Sequence, residues 1–212
     1  MRKTIFLLLL CLAGAALNII LNIVFTASGM GLPIYLDTML TVTVTFIGGP
    51  VWGCLTGALT NIIGHSINFW GWEGYLFTIC SIATALITWL FIRLFRKELS
   101  FENHQNTPHE KNLSGSHSLN KTMNRIVVLI LLSFSLCFAM SILGGSISAF
   151  IQIITDSPAD EMRLKALLGG SMSSRLPLVL AEILSRIPVN IIDRLIAAFG
   201  GYGLALGINK FR

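Results

Sequence analysis

Within its apolar stretches this 212-residue chain carries few residues able to do chemistry: Asp37, Asn61, His65, Asn68, Glu73, Gln152, Asn190, Asp193 and Arg194. Polar and charged groups at membrane depth are expensive and face a cavity, a partner or one another. Amides, carboxylates, one imidazole and one guanidinium are the groups that hold a small polar or aromatic solute by several hydrogen bonds. Trp72 adds a flat indole face, which either stacks on a heterocycle or anchors the chain at the membrane interface beside Trp70. Catalytic patterns are lacking. There is no G-x-x-x-x-G-K-[ST] loop, no H-E-x-x-H and no G-x-S-x-G, and a single His in the membrane region does not supply the paired groups that intramembrane hydrolysis requires. The sequence therefore predicts a binding protein rather than an enzyme, without a cofactor.

Metal binding is not predicted either. His104, His109 and His117 sit at spacings of five and eight in a polar segment, where solvation is expected rather than ligation. Cys11, Cys54, Cys80 and Cys137 lie singly inside apolar runs with no C-x-x-C spacing, and read as small packing residues.

Asp193 and Arg194 are the sharpest chemical oddity. Adjacent residues on a helix point about 100° apart, so the two are poorly placed to pair with each other and each is expected to find another partner. Either they cap the start of the last span and meet headgroups or water, or they point inward to a solute with Asn190 beside them and Asp37 arriving from a second helix.

The elements that position these residues are helices in a membrane. The chain is 54% hydrophobic and 12% charged, far below the roughly 25% charged residues of a soluble domain. Its net charge of +5 comes from basic residues just outside apolar runs, which sets topology rather than nucleic-acid binding. The expected architecture is an all-α integral membrane protein, a six-transmembrane-helix bundle with spans over 4–26, 34–48, 51–68, 75–95, 125–154 and 188–208. Both termini and a mobile linker, 98–122, are expected on the cytoplasmic side.

The first span begins like a signal peptide, with Arg2 and Lys3 ahead of an apolar run, but the run continues far enough to cross a bilayer, so cleavage is not expected. Cys11, Ala15, Asn18, Asn22 and Thr26 form one small and polar stripe along it, expected to face protein. The second span, Ile34 to Ile47, is short, with Asp37, Thr41 and Thr45 on one face; its Thr hydroxyls are expected to bond back to their own helix. Gly48-Gly49-Pro50 turns the chain into the third span, where Gly53 and Gly57 permit close packing. In the fifth span Ser133, Cys137, Ser141, Gly144, Ser148 and Gln152 mark a packing seam whose outer end reaches the solute region. Glu182 and Arg186, at i and i+4, fit an exposed ion pair on a separate interfacial helix, which Pro188 divides from the last span.

These residues carry a family likeness. Leu32-Pro33-Ile34-Tyr35-Leu36-Asp37-Thr38, the turn Gly48-Gly49-Pro50-Val51-Trp52-Gly53 with Gly57 and Thr60-Asn61, and Pro188 to Asp193-Arg194 resemble the substrate-binding S components of energy-coupling factor (ECF) transporters. The size and span count agree over nearly the whole chain. The resemblance implies a multi-pass protein of the bacterial cytoplasmic membrane that captures a vitamin-like solute from outside. It also implies a transmembrane coupling subunit and two cytoplasmic ATPase subunits as partners. Docking of the coupling subunit would use the first helix, where Cys11 with Ala15, or Leu12 with Ala16, approximates the family's small-residue pair. Membrane input domains of bacterial sensors share the Pro-x-x-x-Asp and Gly-Pro-x-x-Gly pattern, so a ligand-binding sensor that transports nothing is the alternative.

Overall fold

The computed structural model describes residues 2–27, 36–68, 72–99, 114–155 and 177–210, with the side chains of 26, 27, 68 and 114–121 outside that description. All the described secondary structure is helical: α1 (Arg2–Ala27), α2 (Met39–Gly48), α3 (Pro50–Asn68), a 3-10 segment (Trp72–Phe77), α4 (Thr78–Leu94), the four-residue α5 (Arg96–Leu99), α6 (Ser114–Thr155) and α7 (Leu178–Lys210). Four helical stretches are long and apolar enough to cross a membrane: Arg2–Phe25, Trp72–Leu94, Thr122–Thr155 and Leu178–Lys210. Exposed Leu, Ile, Val and Phe run along their outer faces, as a membrane-embedded chain requires.

Side-chain contacts fix the direction of each helix. Gly14 lies against Thr56 and Val44, and Gly64 against Ile19, so α1 runs parallel to α3 and antiparallel to α2. Gly53 abuts Thr45 and Ala85, and Gly57 abuts Ser81, which sets α3 antiparallel to α2 and α4. Thr84 of α4 meets Met140 of α6. On α7, Glu182 bonds Gln152, and Asn190 bonds Ser141, so α6 and α7 are antiparallel. Thus α1, α3 and α6 run one way and α2, α4 and α7 the other. Arg2, the α2–α3 turn, α5 and Lys210 share one end of the bundle. Asn68, the 3-10 segment, Thr155 and Leu178 share the other, called here the site end.

Small residues make this packing possible. A Cβ at Gly57 would stand 2.9 Å from Ser81 Cβ and 3.0 Å from its carbonyl oxygen, so only glycine lets the two backbones approach this closely. The hydroxyls along the seams are satisfied within their own helices: Thr45 donates to the Thr41 carbonyl at 2.7 Å, Thr56 to Trp52 at 2.8 Å, Thr60 to Thr56 at 2.9 Å and Thr88 to Thr84 at 2.7 Å. Back-bonding of this kind lets a polar residue sit in an apolar bundle without a partner on another chain segment. The apolar core occupies the half away from the site end, where Val42, Phe46, Leu132, Leu136, Ala198 and Tyr202 pack together. Arg125 closes that end, donating to the Glu98 carbonyl at 3.1 Å and lying over the Tyr202 ring at 5.6 Å.

Three elements differ from the sequence expectation. The second helix starts at Met39, not 34; Leu36 to Thr38 are non-helical, and Leu36 has φ 44°, a left-handed conformation costly for a bulky side chain. Asp37 therefore precedes the helix instead of sharing a face with Thr41 and Thr45. The α7 helix continues unbroken through Pro188. Proline removes one helical hydrogen bond, and the long face that α7 packs against α6 holds the helix together across the gap. The 98–122 segment contains helix at both ends, with Glu98 and Leu99 in α5 and Ser114 to Thr122 in the first turns of α6.

Candidate functional site

The start of α2 organises the site end. At ten residues α2 is about 15 Å long, half of a ~30 Å hydrocarbon core, so the backbone before it turns inside the bundle. Free N–H groups there must be capped by other parts of the protein, because no water is available in lipid. Two helices supply the caps. From α1, Asn18 Oδ1 accepts the Leu40 N–H at 3.0 Å, while its Nδ2 donates to Thr41 Oγ1 at 3.2 Å and Thr60 Oγ1 at 3.3 Å. From α7, Asp193 Oδ1 accepts the Leu36 N–H at 2.9 Å, and Arg194 Nη1 donates to Thr38 Oγ1. Asn18 and Asp193 are fully buried, and Arg194 is 7% exposed.

Asp193 and Arg194 also meet each other, with Arg194 Nη2 3.2 Å from Asp193 Oδ2. Asp193 and Arg194 each find the other partner expected of them, Leu36 and Thr38, yet they also approach each other, against the expectation that they are poorly placed to pair. Their Cβ atoms diverge, but the long guanidinium arm folds back to the carboxylate. The contact lacks hydrogen-bond alignment, and both Asp193 Oδ2 and Arg194 Nε make no hydrogen bond. Asp37 joins them: it lies within electrostatic reach of Arg194 and Asp193, and its Oδ1 is shielded from solvent without a hydrogen-bond partner.

A second charged group lies about two to three turns nearer the site end on α7. Glu182, 3% exposed, accepts from Gln152 Nε2 through Oε1 at 2.6 Å. Its Oε2 stands 3.9 Å from Arg186 Nε, too far for a hydrogen bond. Glu182 is buried and Arg186 half-buried, so the pair is not the exposed one on an interfacial helix that its spacing suggests. Arg186 lies over the Phe77 ring at 5.5 Å and along Gly144 of α6. Cys80 is within electrostatic reach of Arg194, Arg186 and Asp37, so the first turn of α4 faces both charged groups.

No family model, curated protein or solved structure matches this chain. The functional reading of the site therefore rests on its own residues.

Of the residues singled out by sequence, Asp37, Asp193 and Arg194 come together, and Gln152 reaches Glu182. Asn190 is half-buried and donates to Ser141 Oγ at 2.9 Å, one of the seam contacts of α6 and α7. Asn61 is spent in the fold, with Nδ2 bonded to Ser81 Oγ and to the Gly57 carbonyl. His65 belongs to the rim: its ring meets Tyr75 edge-on at 6.0 Å and would crowd any Cβ at Gly74, while Ser66 and Tyr75 share a hydrogen bond of 3.0 Å. Glu73 is half-buried on the same 3-10 segment, and Trp72 is 56% exposed, which places its indole at the surface of the bundle. The Asn68 side chain and Trp70 lie outside the described residues. On α1, Cys11 and Ala15 are sealed inside the chain's own packing, whereas Leu12 and Ala16 are exposed. Of the two small-residue pairs on α1, Leu12 with Ala16 is therefore the one on the outer face.

Sequence reasoning did not assign Thr38, Asn18, Glu182 or Arg186 to the site. Asn18 had a signal, a lone amide on a stripe of small residues, and Glu182 with Arg186 showed the spacing of a pair. Thr38 carried none.

Proposed function

We propose that the chain is a membrane-embedded solute-binding component of an ECF-type uptake transporter, six helices threaded alternately through the bilayer with both termini on the cytoplasmic side. It captures a small vitamin-like molecule at the site end, facing outside, and delivers it through a transmembrane coupling subunit driven by two cytoplasmic ATPase subunits. The observation that carries this reading is the set of unspent polar atoms at depth: Asp37 Oδ1, Arg194 Nε, Arg186 Nε and Glu182 Oε2 are all buried without a hydrogen bond. Leaving such atoms unsatisfied costs about 1–3 kcal/mol each, more for charged groups, a cost that a bound polar solute removes. Leu36, held in a left-handed conformation beside them, is strain of the kind that collects at ligand sites.

Asp193 and Arg194 hold the start of α2 while offering remaining valences to the solute, and Asp37 adds a carboxylate. The exposed Leu12–Ala16 face of α1 is the one left for a coupling subunit. Trp72 anchors the rim at the membrane interface. Mass spectrometry of small molecules retained by gently purified protein tests the binding; co-purification of an ATPase pair tests the coupling. A retained solute together with a stable complex with a kinase or cyclase would instead favour the sensor reading.

A further inference from the structure

We infer that the solute carries a positive charge, an ammonium or a protonated nitrogen heterocycle, and that Asp37 is its counter-ion. The inference rests on the site proposed above and adds the chemical class of what fills it.

The argument is one of charge balance inside the bundle. Asp37, Glu182 and Asp193 place three carboxylates around two guanidiniums, those of Arg186 and Arg194. Each guanidinium already faces a carboxylate. Arg194 contacts Asp193 at 3.2 Å and Thr38 Oγ1; Arg186 lies near Glu182 and over the Phe77 ring. Among the described residues Asp37 is the carboxylate left over: it forms no salt bridge there, and its Oδ1 accepts no hydrogen bond. Glu73, half-buried on the 3-10 segment, makes the same end more negative. Among the described residues the other Lys and Arg side chains stand on α1, α4, α5, α6 and the last turn of α7, toward the opposite end. A buried charge without a partner is strongly disfavoured, so a carboxylate in this position calls for a cation. An anionic solute would add to the excess, with only the Nε atoms of Arg186 and Arg194 open to receive it.

The unspent atoms lean the same way. Glu182 Oε2, Asp193 Oδ2 and Asp37 Oδ1 are three acceptors without donors, against two donors without acceptors, Arg186 Nε and Arg194 Nε, and an ammonium brings three N–H donors and no acceptor.

The test uses three probes of one shape and different charge, benzylammonium, benzyl alcohol and benzoate, titrated by ligand-observed NMR into the full chain in detergent. The expected result is benzylammonium binding tighter than benzoate by about tenfold or more, the scale of one buried charge pair, with the preference lost in Asp37→Asn. Equal or tighter binding of benzoate would overturn the inference, as would binding of none of the three. Benzoate binding that disappears in Arg194→Gln would reject the cation while leaving the site in place. The wild-type probe series is decisive even if the Asp37 variant fails to fold.

Discussion

Asp193 Oδ1 and the Leu36 backbone N–H are joined by a 2.9 Å hydrogen bond between residues 157 positions apart. This bond fixes the last helix to the turn where the chain re-enters the bundle, and it puts a carboxylate at the centre of the site end. Removing the Asp193 side chain leaves the Leu36 N–H without its acceptor and the Arg194 guanidinium without its adjoining carboxylate. Asp193→Ala should destabilise the protein by about 3–5 kcal/mol, the usual cost of breaking one side of a buried ion pair. Asp193→Asn, which keeps an acceptor for Leu36, should cost clearly less. Unfolding in mixed detergent, followed by circular dichroism, measures the difference.

Asn18 does the same work from the other side of α2. Asn18→Leu removes the acceptor of the Leu40 N–H and two donors to Thr41 and Thr60, and should cost about 1–3 kcal/mol. Amide exchange at Leu40 is the local readout and should rise in this variant. Unchanged protection at Leu40 would show that α2 is capped by other means.

Two glycines give a contrast within one experiment. A Cβ at Gly145 would lie 2.7–2.8 Å from Ile183, its backbone included, while one at Gly203 meets nothing within 4 Å. Gly145→Ala should destabilise by about 1–3 kcal/mol through overpacking of α6 against α7. Gly203→Ala should be neutral or slightly stabilising, since alanine favours helix. Melting temperatures of the two variants in the same detergent decide it.

Much of this arrangement is legible in the sequence, and its omissions have physical causes. The stripe Cys11, Ala15 and Asn18 faces protein because small and polar side chains are the ones that fit between helices, a rule that periodicity alone applies. Asp37 and the Asp193-Arg194 pair stand out because charges in apolar runs are costly. What periodicity does not carry is the tertiary cap. The second helix starts late because Asp193 and Asn18, on other helices, stabilise a turn that local propensity would extend as helix. Pro188 is tolerated because α6 supports α7 on both sides of it. Glu182 and Arg186 show the same i, i+4 spacing whether exposed or buried, so the burial of Glu182 emerges only when Gln152 is placed opposite. The Asp193-Arg194 contact escapes a reading based on Cβ directions because it depends on the reach of the arginine arm.

Topology follows from helix directions. Arg2, α5 and Lys210 share one end of the bundle, and the basic residues gather there, which fits the positive-inside rule. Reporter fusions at Glu110 and after Arg212 should therefore both read cytoplasmic. Opposite readings from the two fusions would contradict the antiparallel order of α6 and α7.

The most direct measurement is of retained solute in the wild type and in two charge variants. Protein purified gently from its native membrane should carry one small molecule at near-stoichiometric amount by mass spectrometry. Asp193→Asn and Arg194→Gln should retain it about tenfold less, or weaker still, in line with loss of one partner in a buried charged contact, while remaining folded and inserted. Wild-type levels of that molecule in both folded variants would contradict the account and move binding away from the Asp37, Asp193 and Arg194 cluster.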